Sequence, residues 1–297
     1  MGRNREGWYE GRFEEEKRIS LDYIKSNCNI TNRERELLQL IYDRKLVRRD
    51  SLEIISKSYR NAGNNRTILL NRAIKKLYRH RILDKVHEVQ KIGRGNTPSI
   101  VAIDKGGSML LGVPHKPRIT QKKSIIKGIP YITRILPSNF RHIHGVNQTE
   151  VKTILFCEET GNSILMWKHE VATNFFYNGE NILFIPDVLY ILEINGKTFP
   201  IFLEFDTGSE GIRQKEPKVI LDKIVKYRKY KSSKLWLDED WQNLLHKPLF
   251  PLLLFVTEDH RRIPFFNKKS KENGVWAYGV YHDNYYEFMK KIATLVK

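Results

Sequence analysis

Apolar residues recur along this chain with two different periods, and the change from one to the other divides it. Toward the N-terminus the spacing is helical. Thr31 or Asn32 can cap a helix carrying Leu37, Leu38, Ile41 and Tyr42 on one stripe, and Leu52, Ile54 and Ile55 mark a second, shorter helix. After the turn-like Asn61-Ala62-Gly63-Asn64, a third helix runs through NRTILLNRAIKKLYRHRIL, with Leu70, Ile74 and Leu77 inward. VHEVQKI and SIVAID then read as two strands around Gly93-Arg94-Gly95-Asn96, and KGGSMLLG (105–112) as a closing helix. Further on, the pattern is that of strands: SILMWKHEVATNFFY as one, then Asn181–Ile185, Val188–Ile194 and Thr198–Asp206 in quick succession, and a late one in FPLLLFVT (250–257). Asn195-Gly196, between the third and fourth of these, is a strong hairpin signal. Residues 113–135, rich in Lys with Pro and Gly, read as a basic linker between the two halves.

Two acids interrupt the apolar run 198–206. Side chains alternate on a strand, so Phe202, Glu204 and Asp206 share one face while Ile201, Leu203 and Phe205 share the other. Burying carboxylates side by side is costly unless something compensates the charge, and a hard divalent cation, Mg²⁺ or Mn²⁺, is the natural candidate. Asp187, just ahead of the hairpin, can converge on the same point.

Charge sharpens the division. The 297 residues carry a net +18, with 30 Lys and Arg against 14 Asp and Glu in residues 1–135 but 22 against 20 in residues 136–297. The excess therefore sits on the helical half, which suits a polyanion partner. Helix, helix, basic third helix and basic-tipped hairpin make the winged form of helix-turn-helix, a reader of double-stranded DNA. Arg66, Arg72, Lys75, Lys76 and Arg79 on the third helix, and Lys91 and Arg94 on the wing, are its candidate DNA contacts. Two distant cysteines make no disulfide framework or zinc spacing, and the longest apolar run, Leu249–Val256, is broken by Pro251. A cytoplasmic protein without membrane insertion is expected.

A Pro-Asp, a short hairpin, an acidic strand and a following helix resemble the core of PD-(D/E)XK nucleases. More narrowly, LPSNFRHIHGVNQTEV (136–151), IPD (185–187), FLEFDTGSE (202–210), the Lys223 to Tyr227 helix and FPLLLFVT resemble the plasmid replication-relaxation family, over nearly the whole chain. That resemblance implies an α/β (α+β) fold in four parts: an arm (1–18), a winged helix (19–112), the linker (113–135) and a PD-(D/E)XK-like mixed-sheet domain (136–297). It implies a DNA endonuclease or nickase of plasmid or mobile-element replication. Asp187, Glu204 and Asp206 would be metal ligands, with Glu150 as a fourth from a helix starting near Asn147 or Thr149, along which Val151, Ile154 and Leu155 face inward. The usual motif has Lys two residues after the Glu, and here that place is Asp206. Lys223, with Lys226 second, is the expected substitute, while Tyr227, Tyr230 and Arg261 are candidate phosphate contacts. Two alternatives stay open: a non-catalytic replication or transcription factor with a decayed nuclease fold, and a tyrosine-dependent relaxase using His142 and His144. A homodimer and other replication or transfer proteins stay open as partners.

Overall fold

A computed structural model describes residues 18–87, 97–126, 129–208 and 218–295. The chain is α+β and divides into two compact units, 1–147 and 148–297. The division falls inside a continuous helix, not in the stretch read as a linker. The N-terminal arm, apart from Arg18, lies outside the described residues.

The first unit contains α1 (Leu21–Asn27), α2 (Asn32–Arg44), β1 (Val47–Arg48), α3 (Arg49–Ile55), α4 (Lys57–Arg60), α5 (Arg66–Arg79), β2 (Leu83–His87), β3 (Ser99–Ile103) and α6 (Lys105–Leu111). Thr31 is the cap of α2: its hydroxyl accepts from the Glu34 N–H while Glu34 reaches back to the Thr31 N–H, satisfying two orphan donors at once. Leu37, Leu38 and Ile41 are buried with Leu52, Leu70, Ile74 and Leu77, as the helical stripes require, whereas Tyr42 is exposed. The strands form an antiparallel sheet in the order β1-β3-β2. Gly106 and Gly107 let α6 lie against the preceding chain, because a Cβ on either would strike the Arg81 or Ile82 carbonyl.

Residues 113–135 are not a structureless linker. β4 (Thr120–Ile126) and β5 (Ile129–Ile135) pair antiparallel through seven positions. Arg134 is buried against Asp84 and over the Tyr78 ring, so within the first unit it ties the hairpin to β2 and α5. Helix α7 (Phe140–Thr160) begins a full two turns before Asn147. Its first turns belong to the first unit: Ile143 and Phe140 pack with Leu46, Val86 and Ile100, and Asn147 donates to the Leu46 carbonyl (2.8 Å).

The second unit is built on a mixed sheet of β6 (Ser163–His169), β9 (Val188–Ile194), β10 (Lys197–Asp206), β11 (Leu252–Thr257) and β12 (Ala277–Tyr281), in the order β12-β11-β10-β9-β6. β10, β11 and β12 run parallel, β9 runs antiparallel to β10, and β6, antiparallel to β9, runs in the same direction as β10. Asn195 (φ 51°) and Gly196 (φ 73°) form the two-residue turn expected between β9 and β10. Pro200 is tolerated inside β10 because pairing with β11 begins only at Ile201. The stretch 163–177 is two strands, since Glu170 turns the chain at positive φ (48°). β7 (Thr173–Tyr177) pairs instead with β8 (Glu180–Phe184) as a separate hairpin. Phe175, Ile182 and Phe184 of this hairpin, with Leu189, Ile191, Phe202, Leu253 and Phe255 of the sheet, pack on α8 (Lys218–Ser233) and on Phe266 of α9 (Arg262–Glu272). Helix α10 (Tyr285–Leu295) closes the chain. Its Tyr285 hydroxyl meets those of Thr153 on α7 (2.7 Å) and Tyr190 on β9 (3.1 Å).

Candidate active site

Strand parity places Glu204 with Phe202, facing α8. There Glu204 is 2% exposed. Lys223, one turn into α8 beyond Ile220, donates its ammonium to Glu204 Oε2, and Tyr227 donates its hydroxyl to Oε1 (3.0 Å). Lys223 and Tyr227 are i,i+4 neighbours, so one helix face clamps both oxygens. Asp187 leaves the β7–β8 hairpin just before β9, where its Oδ2 accepts from the Phe205 N–H (2.7 Å) and its carbonyl from the Glu170 N–H (3.0 Å). Burial, then the charge of Asp187, pushes the Glu204 carboxyl up to about 7 despite Lys223 and Tyr227. Burial works against the Lys223 ammonium, but Glu204, Asp187 and Asp206 more than offset it and hold it above its ordinary range.

Asp206 stands where the usual nuclease motif has lysine, and its own partners are cationic and hydroxylic. Arg262, buried at the start of α9, donates to Oδ1 (2.9 Å), and Thr257, its register partner on β11, donates to Oδ2 (2.8 Å). Arg261 is spent differently from the phosphate role expected of it: it forms a two-point pair with Asp259 (2.8 and 3.0 Å), although its side chain stays largely exposed. Glu150 is buried in the middle of α7, not in a first turn, and its Oε2 lies 3.8 Å from His169 Nε2. Val151 and Leu155 do not follow Ile154 into the core; Leu155 is exposed. Among the described residues no three His, Cys, Asp or Glu side chains come together closely enough to hold a metal ion. The four carboxylates are thus not one ligand set; Asp187, Glu204 and Lys223 are the group the fold assembles.

Tyr227 and Tyr230 are fully buried, and Tyr230 donates to Glu239 (2.8 Å), so neither hydroxyl is presented to a phosphate. Burial first, and a carboxylate acceptor next, raises both above the usual phenol range, which also disfavours them as nucleophiles. His142 and His144 lie two apart on α7, where side chains diverge, so they cannot meet as neighbours on a strand face do. Burial, then Arg48, lowers His144 to about 4, and its ring stacks on Phe140. In the first unit, Arg72, Lys75 and Arg79 are exposed along α5, and Arg66 lies 4.0 Å from Glu53. Lys76 is turned inward onto Glu34 (2.6 Å) and the Asn29 carbonyl (2.8 Å), tying α5 to the cap of α2. Lys91 and Arg94 lie outside the described residues.

The replication-relaxation family model matches residues 39–241, two thirds of the chain, and includes Asp187, Glu204, Asp206 and Lys223 but not Thr257 or Arg262. The chain belongs to the replication-relaxation family. Membership gives it a role in replication or relaxation. No curated protein matches it. A solved structure that does, protein VC1899 from Vibrio cholerae, is 13% identical with a TM-score of 0.32, covering 90% of this chain and 57% of that one. At that distance it carries no argument. Among the described residues of this family member, no helix is long and apolar enough to cross a membrane.

Arg262, which the sequence offered only as part of a basic His260-Arg261-Arg262 phosphate contact, and Thr257 are partners of Asp206 that the sequence did not point to. Both are reached only through the parallel pairing of β10 with β11, 51 and 56 residues downstream of Asp206. The charge of Asp187 raises the Glu204 carboxyl, whereas Asp206 is held by Arg262 and Thr257.

Proposed function

We propose that this replication-relaxation protein of a plasmid or mobile element binds duplex DNA through its first unit and hydrolyses a DNA phosphodiester at Asp187, Glu204 and Lys223. The observation that carries the reading is Lys223: an ammonium supplied from α8 stands among the carboxylates, in place of the lysine that Asp206 displaces. A divalent cation held by Asp187 and Glu204 would supply Lewis acidity toward a phosphoryl oxygen and lower the pKa of a bound water. Lys223 offers fixed positive charge toward the oxygen that becomes more negative as the bond breaks. Tyr227 holds Glu204 in orientation, and the Phe205 N–H does the same for Asp187. For the first unit, the exposed Arg72, Lys75 and Arg79 on one helix, in a half with most of the net charge, support a winged-helix reading.

Supercoiled plasmid carrying the protein's own locus, incubated with the full chain and Mg²⁺ or Mn²⁺ and run on a denaturing gel, tests this. Nicked or linear product with free ends is expected, abolished by Glu204→Ala or Asp187→Ala and slowed by Lys223→Ala. Protein left covalently on a DNA end would refute hydrolysis. A second reading, a non-catalytic DNA-binding factor, is favoured by one observation: both oxygens of Glu204 and both of Asp206 already have partners within the protein. Binding without cleavage under any metal would select it.

A further inference from the structure

Helix α5 carries five Lys and Arg and no acid. At about 100° per residue its exposed residues fall on a single face: Asn71, Lys75, Ile68, Arg79 and Arg72 follow one another across an arc of about 100°. The opposite face, Leu70, Ala73, Ile74 and Leu77, is the one buried in the first unit. An exposed face with three cations and no acid is complementary to a polyanion, here the duplex of the reading above. Arg and Lys serve phosphates and base edges alike, so those three residues say nothing about sequence. Ile68 and Asn71 do.

Ile68 is 51% exposed, the most open of the large apolar side chains among the described residues of this unit. It sits in the middle of the basic face, where it can hold no phosphate. The apolar feature that a duplex shows to a helix in its major groove is the C5 methyl of thymine. Asn71 is its i+3 neighbour, with Cβ atoms about 5–6 Å apart. Asn is a poor residue for a helix interior, because its amide competes for backbone groups. Asn27 and Asn273, at the ends of α1 and α9, give their amides to the carbonyls of Tyr23 and Lys269 (2.8 and 2.9 Å), but the Asn71 amide has no hydrogen-bond partner among the described residues. Its donor and acceptor match N6 and N7 of adenine. Ile68 and Asn71 both lie in the first two turns of α5, the end that meets base edges when such a helix enters the groove. Their spacing reaches neighbouring base pairs, stacked about 3.4 Å apart. A second copy docked on this face would set cation against cation.

We propose that α5 reads sequence, with the Asn71 amide on an adenine and Ile68 against the methyl of a thymine in the neighbouring base pair, so that the first unit addresses an A·T-containing site and not duplex DNA at large. This rests on the duplex-binding reading of the first unit and is independent of hydrolysis.

The test is binding of the full chain, with metal chelated, to a pool of duplexes randomised over about ten base pairs, one helical turn, with the bound fraction sequenced. The parent should enrich an adenine and an adjacent thymine. Asn71→Ala should level the preference at the adenine and Ile68→Ala that at the thymine, each leaving the other. Both side chains are exposed and Ala is the better helix former, so neither variant loses the fold. On the enriched duplex, Asn71→Ala should weaken binding about tenfold. Deoxyuridine in place of the thymine removes one methyl and should weaken the parent about fourfold, leaving Ile68→Ala unchanged. Lys75→Ala should lower binding to every duplex and keep the preference. Duplexes bound without sequence preference, with a preference that neither variant alters, or with equal losses on enriched and unselected pools would overturn the inference and keep the duplex-binding reading. A pool left unbound would refute that reading and the inference with it.

Discussion

Glu204→Gln turns the crowding of the site into a measurable pH dependence. A carboxyl whose folded pKa is raised contributes its full stability below the unfolded value and loses it as pH rises through the folded one. For Glu204 those limits are 4.5 and about 7. At about 1.4 kcal/mol per unit, the buried anion costs the fold about 3 kcal/mol at alkaline pH. Of that, about 2 kcal/mol falls between about pH 5.5 and about pH 8.5. Gln cannot ionise, so the stability of the variant relative to the parent should rise by that amount across the window. Lys223 does not confuse the result, because its raised pKa matters only above the ordinary lysine value of 10.5. His144 runs the other way, its contribution lost as pH falls from 6.5 toward 4, but it is common to both proteins and cancels. Urea unfolding of the two full-length proteins in chelator gives the difference directly. Gln also forfeits the ion pair with Lys223, so the slope with pH is the readout, not the absolute offset. A difference that stays flat with pH would refute the argument that Asp187 and burial leave Glu204 short of positive charge.

Titrating Mg²⁺ or Mn²⁺ into the full chain should raise its melting temperature, with a gain of about 2.7 kcal/mol at a hundredfold excess over Kd, and the Glu204→Gln protein should lose that gain; equal responses from both proteins would remove the cation from Glu204. Arg72→Ala with Lys75→Ala should weaken duplex binding and make its salt slope shallower by about 0.9 per lost phosphate contact. Lys76→Ala should instead lower stability by about 1–3 kcal/mol, because it removes the ion pair of the buried Glu34 and leaves that carboxylate to Thr31, and unfolding together with duplex binding separates the two outcomes.

Local patterns carried much of the architecture. The cap at Thr31, the inner stripe of α5, the turn at Asn195-Gly196 and the shared face of Glu204 and Phe202 all follow from near neighbours in the chain, and all are found in the structure. The contact of Lys223 with Glu204 was within reach of the sequence because Lys223 lies one helix beyond that acid. What escaped the sequence depends on distant pairing or on misleading composition. Lysines, prolines and a glycine made 113–135 look like a linker, although it holds two strands that pair antiparallel through seven positions. His-Ile-His-Gly looked like a poor helix, yet Gly145 is buried within α7, whose first turns gain their stability from packing on β2 and β3. Tyr227 and Tyr230 looked presentable as chemistry-bearing groups because sequence does not say which helix face meets the sheet. Lys76 looked like its exposed neighbours because Glu34 lies 42 residues upstream.

The Asp206–Arg262 pair has a bearing on how this site can change over time. A single substitution restoring lysine at position 206 would set its ammonium against a buried guanidinium and strand Arg262 without its acceptor. Replacing Arg262 first would leave Asp206 with Thr257 alone. Either order passes through a damaged intermediate, so the two positions are epistatic, and return to the usual lysine arrangement needs both changes together.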